Sequence, residues 1–159
     1  MAGMPTLLVL RHAKAVPGGA TPDIERSLTG RGRRDAEAAG EWLRDRGLAP
    51  DLVLCSTAVR TRETLERLAV PAPVRYESQI YANDADGLLT LVRETGDDAR
   101  TLLLVGHNPS VHQLVHDLTG AAPNAFPTCA LAVIEWEGGW MDAWPGAGTL
   151  VTLHTPQQP

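Results

Sequence analysis

The chain has 159 residues, with 14 Lys or Arg against 19 Asp or Glu, for a net charge of −5. Apolar residues make up 43% and charged residues 21%, the balance of a globular protein with one ordinary core, so a single domain over residues 1–159 is expected. The acidic excess argues against nucleic acid or a membrane surface as partner, since either calls for a basic face, but a local arginine cluster can still hold a small anion.

Met1–Pro5 lacks the charged and apolar regions of a signal peptide, and no apolar run approaches the ~20 residues of a membrane span, so the cytoplasm is the expected compartment. Thr6–Leu10 is a continuous apolar run of strand length that breaks into Arg11-His12-Ala13-Lys14. A Gly/Pro-rich loop follows from Pro17 to Pro22. Thr29 reads as the N-cap of a helix through Arg46, with Ala36, Ala39, Gly40 and Leu43 as its packed stripe and Gly47 as its stop. Leu52–Cys55 reads as a second buried strand, after which Ser56 or Thr57 caps a helix to about Leu68. The prolines in Pro71–Tyr76 restrict that stretch to an extended or edge segment. A helix is expected from Asp84 to Glu94, with Leu88, Leu89 and Val92 on one side and Gly96 just beyond its end.

Thr101–Val105 is the third apolar strand, and it breaks at Gly106-His107-Asn108-Pro109. Pro109 suits the first position of the next helix, which Gly120 closes. Ala130–Trp136 and Thr149–His154 read as late strands joined by a turn containing Gly138 and Gly139, with a loose end at Gln157–Pro159. This order predicts an α/β fold, a three-layer α/β/α sandwich around a largely parallel sheet. Cys55 and Cys129 are expected to be buried free thiols, since there is no CxxC and no Cys/His cluster at zinc spacing.

Three strands thus end in groups suited to an anion: Arg11 and His12, then Ser56 and Thr57 leading to Arg60, then His107 and Asn108 before a helix. In an open parallel sheet, ligands bind beyond the carboxyl ends of the strands. If these strands are neighbours, two guanidiniums meet there with bidentate donors for phosphate oxygens, and helix N-termini add oriented N–H groups. An isolated Arg or His after a strand is ordinarily a surface or capping residue. The recurrence after nearly pure apolar runs is what points to an anion site.

The motifs Leu10-Arg11-His12-Ala13-Lys14-Ala15, Ser56-Thr57-Ala58-Val59-Arg60-Thr61-Arg62-Glu63-Thr64 and Val105-Gly106-His107-Asn108-Pro109, in that order, resemble those of the histidine phosphatase superfamily. The likeness is strongest to its short branch of phosphohistidine phosphatases, and it extends to the helix entry Arg26-Ser27-Leu28-Thr29-Gly30-Arg31-Gly32. It implies a phosphoglycerate mutase-like fold and a metal-independent phosphatase needing no cofactor. His12 would be the nucleophile, and Arg11, Arg60 and His107 would hold the equatorial oxygens of the transferring phosphoryl group. Lys14, Arg26 and Asn108 are further candidates for substrate contact. The expected partner is a phosphorylated protein such as a phosphotransfer domain, with a sugar or nucleotide phosphate as the alternative, and the expected state is a monomer. A phosphate-binding module without turnover is the non-enzymatic alternative, but binding alone does not require His12.

Two departures stand out. The larger family writes its first motif Arg-His-Gly, whereas Ala13 stands here, a substitution common in the short branch. Many relatives carry a Glu proton donor where this chain has Gln79, which cannot donate as an acid; Glu77, Asp84 and Asp86 are the neighbouring candidates. An imidazole leaving group, with a conjugate-acid pKa near ~6.5, needs such a donor less than an alkoxide does. His112 and His116 share a helix face but lack a third ligand, so no metal site is expected. His154 reads as a strand-end residue, Arg31, Arg33, Arg34, Arg44 and Arg46 as solvated helix faces, and Trp136, Trp140 and Trp144 as packing.

Overall fold

A computed structural model describes residues 4–156; the loose end expected at Gln157–Pro159 lies outside the described residues, as do the first three residues of the opening segment. The three apolar runs form β1 (Thr6–Arg11), β2 (Leu52–Ser56) and β4 (Thr101–Gly106), joined in one sheet by β3 (Val74–Glu77), β5 (Leu131–Glu135) and β6 (Thr149–His154). The six strands run in the order β3-β2-β4-β1-β5-β6. β1 to β4 are mutually parallel, while β5 runs antiparallel to both β1 and β6. β3, with its flanking prolines, takes an edge as its composition requires.

Successive strand residues face opposite sides of a sheet, so each central strand feeds two cores. Leu8, Leu10, Val53, Cys55, Leu103 and Val105 pack beneath α1 (Gly30–Asp45) and α2 (Val59–Leu68). Leu7, Val9, Leu54, Leu102 and Leu104 pack on the other face with α4 (Ala85–Arg93) and α5 (Ser110–Thr119). Each fully buried Leu or Val here contributes about 1.5–3 kcal/mol through removal from water. The layers are therefore helix, sheet, helix. Among the described residues, no helix is long and apolar enough to cross a membrane.

Thr29 caps α1 by accepting the Gly32 N–H on its hydroxyl at 3.0 Å. Gly40 on α1 lets the backbone of α2 approach closely: a Cβ there would stand 2.2 Å from the Leu68 carbonyl oxygen.

Three local expectations need correction. α2 begins at Val59 with Ala58 as its N-cap, and Ser56 instead accepts the Ala58 N–H at 3.3 Å in a short turn before the helix. Pro109 precedes α5 as its N-cap, after a cis Asn108–Pro109 peptide bond, so Ser110 holds the first helical position. A four-residue helix, α3 (Ser78–Tyr81), stands between β3 and α4, where the sequence suggests only a connection; α4 itself is capped by Asp84, whose carboxylate accepts the Gly87 N–H at 3.2 Å.

Candidate active site

Strand register brings the site together. Arg11 pairs with Gly106 across β1 and β4, and Cys55 pairs with Val105 across β2 and β4. The residues that follow, His12, His107 and Ser56, therefore emerge at one level beyond the carboxyl ends of three adjacent strands. His12 and His107 open on a cavity of about 510 Å³ lined by Arg11, His12, Lys14, Ala15, Asp23, Arg26, Arg60, Tyr81, Asn83, His107, Asn108 and Thr128, with Ser56 buried behind it.

His12 is buried, and its orientation is fixed from several directions. Its backbone N–H donates to the Gly106 carbonyl at 3.1 Å, and its own carbonyl accepts the Cys129 N–H at 2.9 Å. The ring Nδ1 lies 2.7 Å from the Ala13 carbonyl oxygen. A carbonyl only accepts, so Nδ1 carries the hydrogen and Nε2 keeps its lone pair. Ala13 is held in turn by Thr64 on α2, whose hydroxyl accepts the Ala13 N–H at 3.0 Å and donates to the Arg60 carbonyl at 2.7 Å. Burial lowers the imidazole pKa to about 4, with Arg60 and Arg11 adding to the effect against the Ala13 hydrogen bond, so the ring is neutral at neutral pH. His12 is thus a neutral imidazole held in one orientation.

The arginines present donors around it. Arg11 uses one terminal nitrogen on the Phe126 carbonyl at 3.1 Å. Arg60, buried on α2, donates from Nη1 to the Asp23 carbonyl at 2.8 Å and from Nη2 to Asp23 Oδ2 at 3.1 Å. Arg11 Nε, Arg60 Nε and His107 Nδ1 are buried and have no hydrogen-bond partner among the described residues. Orphaned buried donors are costly, and the three residues that carry them all line one cavity, an arrangement suited to an anion.

The His107 ring lies 5.3 Å from that of His12, and its Nε2 sits 2.8 Å from the Ser56 hydroxyl. When Ser56 donates to Nε2, His107 carries its hydrogen on Nδ1 as a further donor. Burial, with the neighbouring His12 and Arg60, lowers the His107 pKa to about 3.

Asp23 closes one side of the cavity from a short 3-10 turn, Asp23–Glu25. Its carboxylate accepts from Tyr81 Oη at 2.8 Å, from Arg60 Nη2 at 3.1 Å and from Arg26 Nε at 3.0 Å. The Tyr81 hydrogen bond foremost, and then Arg60 and Arg26, hold its pKa down to about 2. Asn83, in the left-handed region at φ 63°, joins the α3–α4 turn to the third motif. Its Nδ2 donates to the Asn108 carbonyl at 2.7 Å, and its Oδ1 accepts the Ser110 N–H at 3.0 Å. That N-terminal donor of α5 is thus satisfied within the chain, contrary to its expected use on an anion.

Of the residues singled out in the sequence, Arg11, His12, Arg60 and His107 share this cavity, and Lys14, Arg26 and Asn108 line it as well. The candidate acids do not. Glu77 ends the edge strand, Asp84 caps α4, Asp86 and Gln79 are exposed, and none of the four lines the cavity. Asp23, Tyr81, Asn83 and Thr128 lie in loops, turns or the one-turn helix α3, which carry no periodicity to mark them in the sequence; the one readable hint is the Asp23–Arg26 spacing of a local ion pair.

His112 donates to the Pro123 carbonyl at 2.7 Å and stacks on Phe126, and among the described residues no group of three His, Cys, Asp or Glu is placed to hold a metal ion. The His154 ring lies tilted against that of Trp42, with centroids 5.0 Å apart. Trp136 and Trp140 are buried, whereas Trp144 is exposed beneath the Arg93 guanidinium. Both cysteines are free and buried, and burial pushes their thiols up to about 12, so both are protonated at neutral pH.

Residues 7–81 match the family model of the histidine phosphatase superfamily, branch 1. The uncharacterized Mycobacterium tuberculosis protein Rv1276c is 39% identical over 158 residues, which span 93% of this chain and all of that protein. Phosphohistidine phosphatase SixA of Escherichia coli is 26% identical over 135 residues, 80% of this chain and 83% of its own. A Nakamurella multipartitia protein of solved structure, provisionally named phosphohistidine phosphatase SixA, superposes with a TM-score of 0.86 at 36% identity, covering 98% of each chain.

Proposed function

The chain belongs to the histidine phosphatase superfamily and is a phosphatase with the phosphoglycerate mutase-like fold; from that premise we propose that it hydrolyses protein phosphohistidine through a phosphoryl intermediate on His12, without a metal. The observation that carries this reading is a neutral His12 whose Nε2 lone pair faces a cavity walled by Arg11, Arg60 and His107.

In the first half-reaction His12 Nε2 gives its lone pair to phosphorus, and the bond to the substrate nitrogen breaks in line with it. The free N–H groups of Arg11 and Arg60, with His107 Nδ1, donate to the three equatorial oxygens, where charge accumulates. Positioning and fixed positive charge then supply what a metal would in other phosphoryl transfers. His12 keeps its Nδ1 hydrogen on the Ala13 carbonyl throughout, which stabilises the imidazolium character of the phosphorylated ring. In the second half-reaction water attacks phosphorus from the side the leaving group vacated, the Nε2–phosphorus bond breaks, and phosphate departs.

Two features favour phosphohistidine over an alkyl phosphate. The cavity offers no carboxylic acid able to protonate an alkoxide, since Asp23 is held ionised. The imidazole of phosphohistidine leaves without one. The rim carries Lys14 and Arg26 on an otherwise acidic protein, suited to the flank of a phosphorylated protein such as a phosphotransfer domain.

The test is phosphate release from a phosphohistidine protein, an aryl phosphate and an alkyl phosphate, with EDTA throughout, for wild type and His12→Ala. Turnover of the first two, abolished in His12→Ala and insensitive to EDTA, is the expected result. Turnover of the alkyl phosphate at the phosphohistidine rate, or turnover that survives in His12→Ala, contradicts the proposal.

A further inference from the structure

Asp23 is the only carboxylate lining the cavity among the described residues, and the reaction outlined above leaves it without a part. Its place in the cavity is specific. The side chain of Asp23 is 54% exposed, whereas His12 and His107 behind it are 7% and 4% exposed. An in-line displacement puts the leaving atom on the far side of phosphorus from His12 Nε2, towards the open side where Asp23 stands. A carboxylate offers about four acceptor positions. Three are filled here, by Tyr81 Oη and Arg60 Nη2 on Oδ2 and by Arg26 Nε on Oδ1, so an acceptor position remains on Oδ1. Two distant segments, through Arg60 on α2 and Tyr81 on α3, and Arg26 of its own turn fix the group in place, and Tyr81 adds an aromatic wall, its ring edge-on to His107 at 5.6 Å.

We infer that Asp23 selects the leaving group, by accepting the distal N–H of the substrate imidazole so that the ring departs as neutral imidazole and not as imidazolate. The inference rests on the phosphohistidine reading above. The electron balance is simple. His12 Nε2 supplies the pair for the new bond to phosphorus, the old phosphorus–nitrogen pair returns to the leaving nitrogen, and the distal proton stays where it was. A carboxylate beside that N–H favours the protonated, better-leaving form of the ring. The Ala13 carbonyl does the same for His12 when it becomes the leaving group in the second half-reaction. The phenoxide or alkoxide of a phosphomonoester has no N–H to offer Asp23, so the contact discriminates by substrate class.

The experiment compares wild type with Asp23→Asn on a phosphohistidine protein and on p-nitrophenyl phosphate. The ratio of the two kcat/KM values is expected to fall at least tenfold in Asp23→Asn. An unchanged ratio, with both activities reduced alike, overturns the inference and leaves Asp23 as a support for Arg60. A second comparison needs no variant: wild type on phosphoimidazole and on its N-methyl derivative, each rate divided by that of uncatalysed hydrolysis. A tenfold or greater preference for the ring that keeps its N–H is expected, and equal rates overturn the inference. Hydrolysis of p-nitrophenyl phosphate with no release from any N-phosphoryl substrate overturns the phosphohistidine reading itself, and the inference with it.

Discussion

Replacing Thr64 by Val removes one hydroxyl from the buried seam between β1 and α2 and changes little else in shape. Thr64 is fully buried, accepts the Ala13 N–H at 3.0 Å and donates to the Arg60 carbonyl at 2.7 Å. Thr64→Val leaves the Ala13 N–H buried without an acceptor, at a cost of about 1–3 kcal/mol. For a chain of this size each kcal/mol lowers Tm by about 2–4 °C, so a fall of roughly 2–12 °C is expected. Activity should suffer beyond that. Ala13 carries the carbonyl that orients His12, and a displacement of about 1 Å at a reacting group costs on the order of a hundredfold in rate. Thermal melts and p-nitrophenyl phosphate turnover, measured at a temperature where the variant is folded, separate the two effects. Thr64→Ser keeps the hydroxyl and should restore most of both. Wild-type Tm and kcat in Thr64→Val, or equal damage in Thr64→Ser, would refute the reasoning.

Gly32→Ala and Gly40→Ala place Cβ atoms 2.1 Å from the Lys14 carbonyl oxygen and 2.2 Å from the Leu68 carbonyl oxygen. Both should lower Tm by similar amounts, but Gly32→Ala, which pushes on the loop after His12, should lose more kcat than Gly40→Ala; equal kcat in the two would contradict this. Ser56→Ala deprives His107 Nε2 of its partner, and kcat should drop about tenfold with weaker competitive inhibition by inorganic phosphate, since each charge-assisted donor is worth about 1.5–3 kcal/mol. Acid should destabilise the fold. His12 and His107 are neutral when folded, with pKa values lowered to about 4 and 3, whereas unfolded histidine takes up its proton near pH ~6.5. Their contribution is intact above that pH and is lost as pH falls towards 4, about 2 kcal/mol per histidine by pH 5. Urea midpoints at pH 7 and pH 5 measure it, and equal midpoints would show that the two rings are not held neutral by burial.

Several features were legible before folding was considered. Thr6–Leu10, Leu52–Cys55 and Thr101–Val105 are unbroken apolar runs, and such runs are stable only as central strands covered on both faces. Arg11, His12, Arg60 and His107 could be read because each follows such a run or opens the helix after it. The α1 cap at Thr29 was legible for the same local reason, a hydroxyl reaching an N–H three residues on. The start of α2 and the place of Pro109 differ from the sequence expectation by a residue or two, because a turn there takes up groups that the helix would otherwise use.

What tertiary structure alone decided lies in contacts between distant segments. Asp23 meets Arg60 and Tyr81 across sequence separations of 37 and 58 residues, and no local pattern announces such a meeting. Glu77, Asp84 and Asp86 looked eligible as acids because they are near in sequence, but the sheet edge and the cap of α4 turn them away from the cavity. Periodicity reports which face of an element is buried, so the central strands, the four longer helices and the residues at the strand ends follow from local order, whereas the one-turn α3 does not. Register and the close packing of loops decided which of those ends converge, because side chains meet in a site only after the whole backbone has been placed.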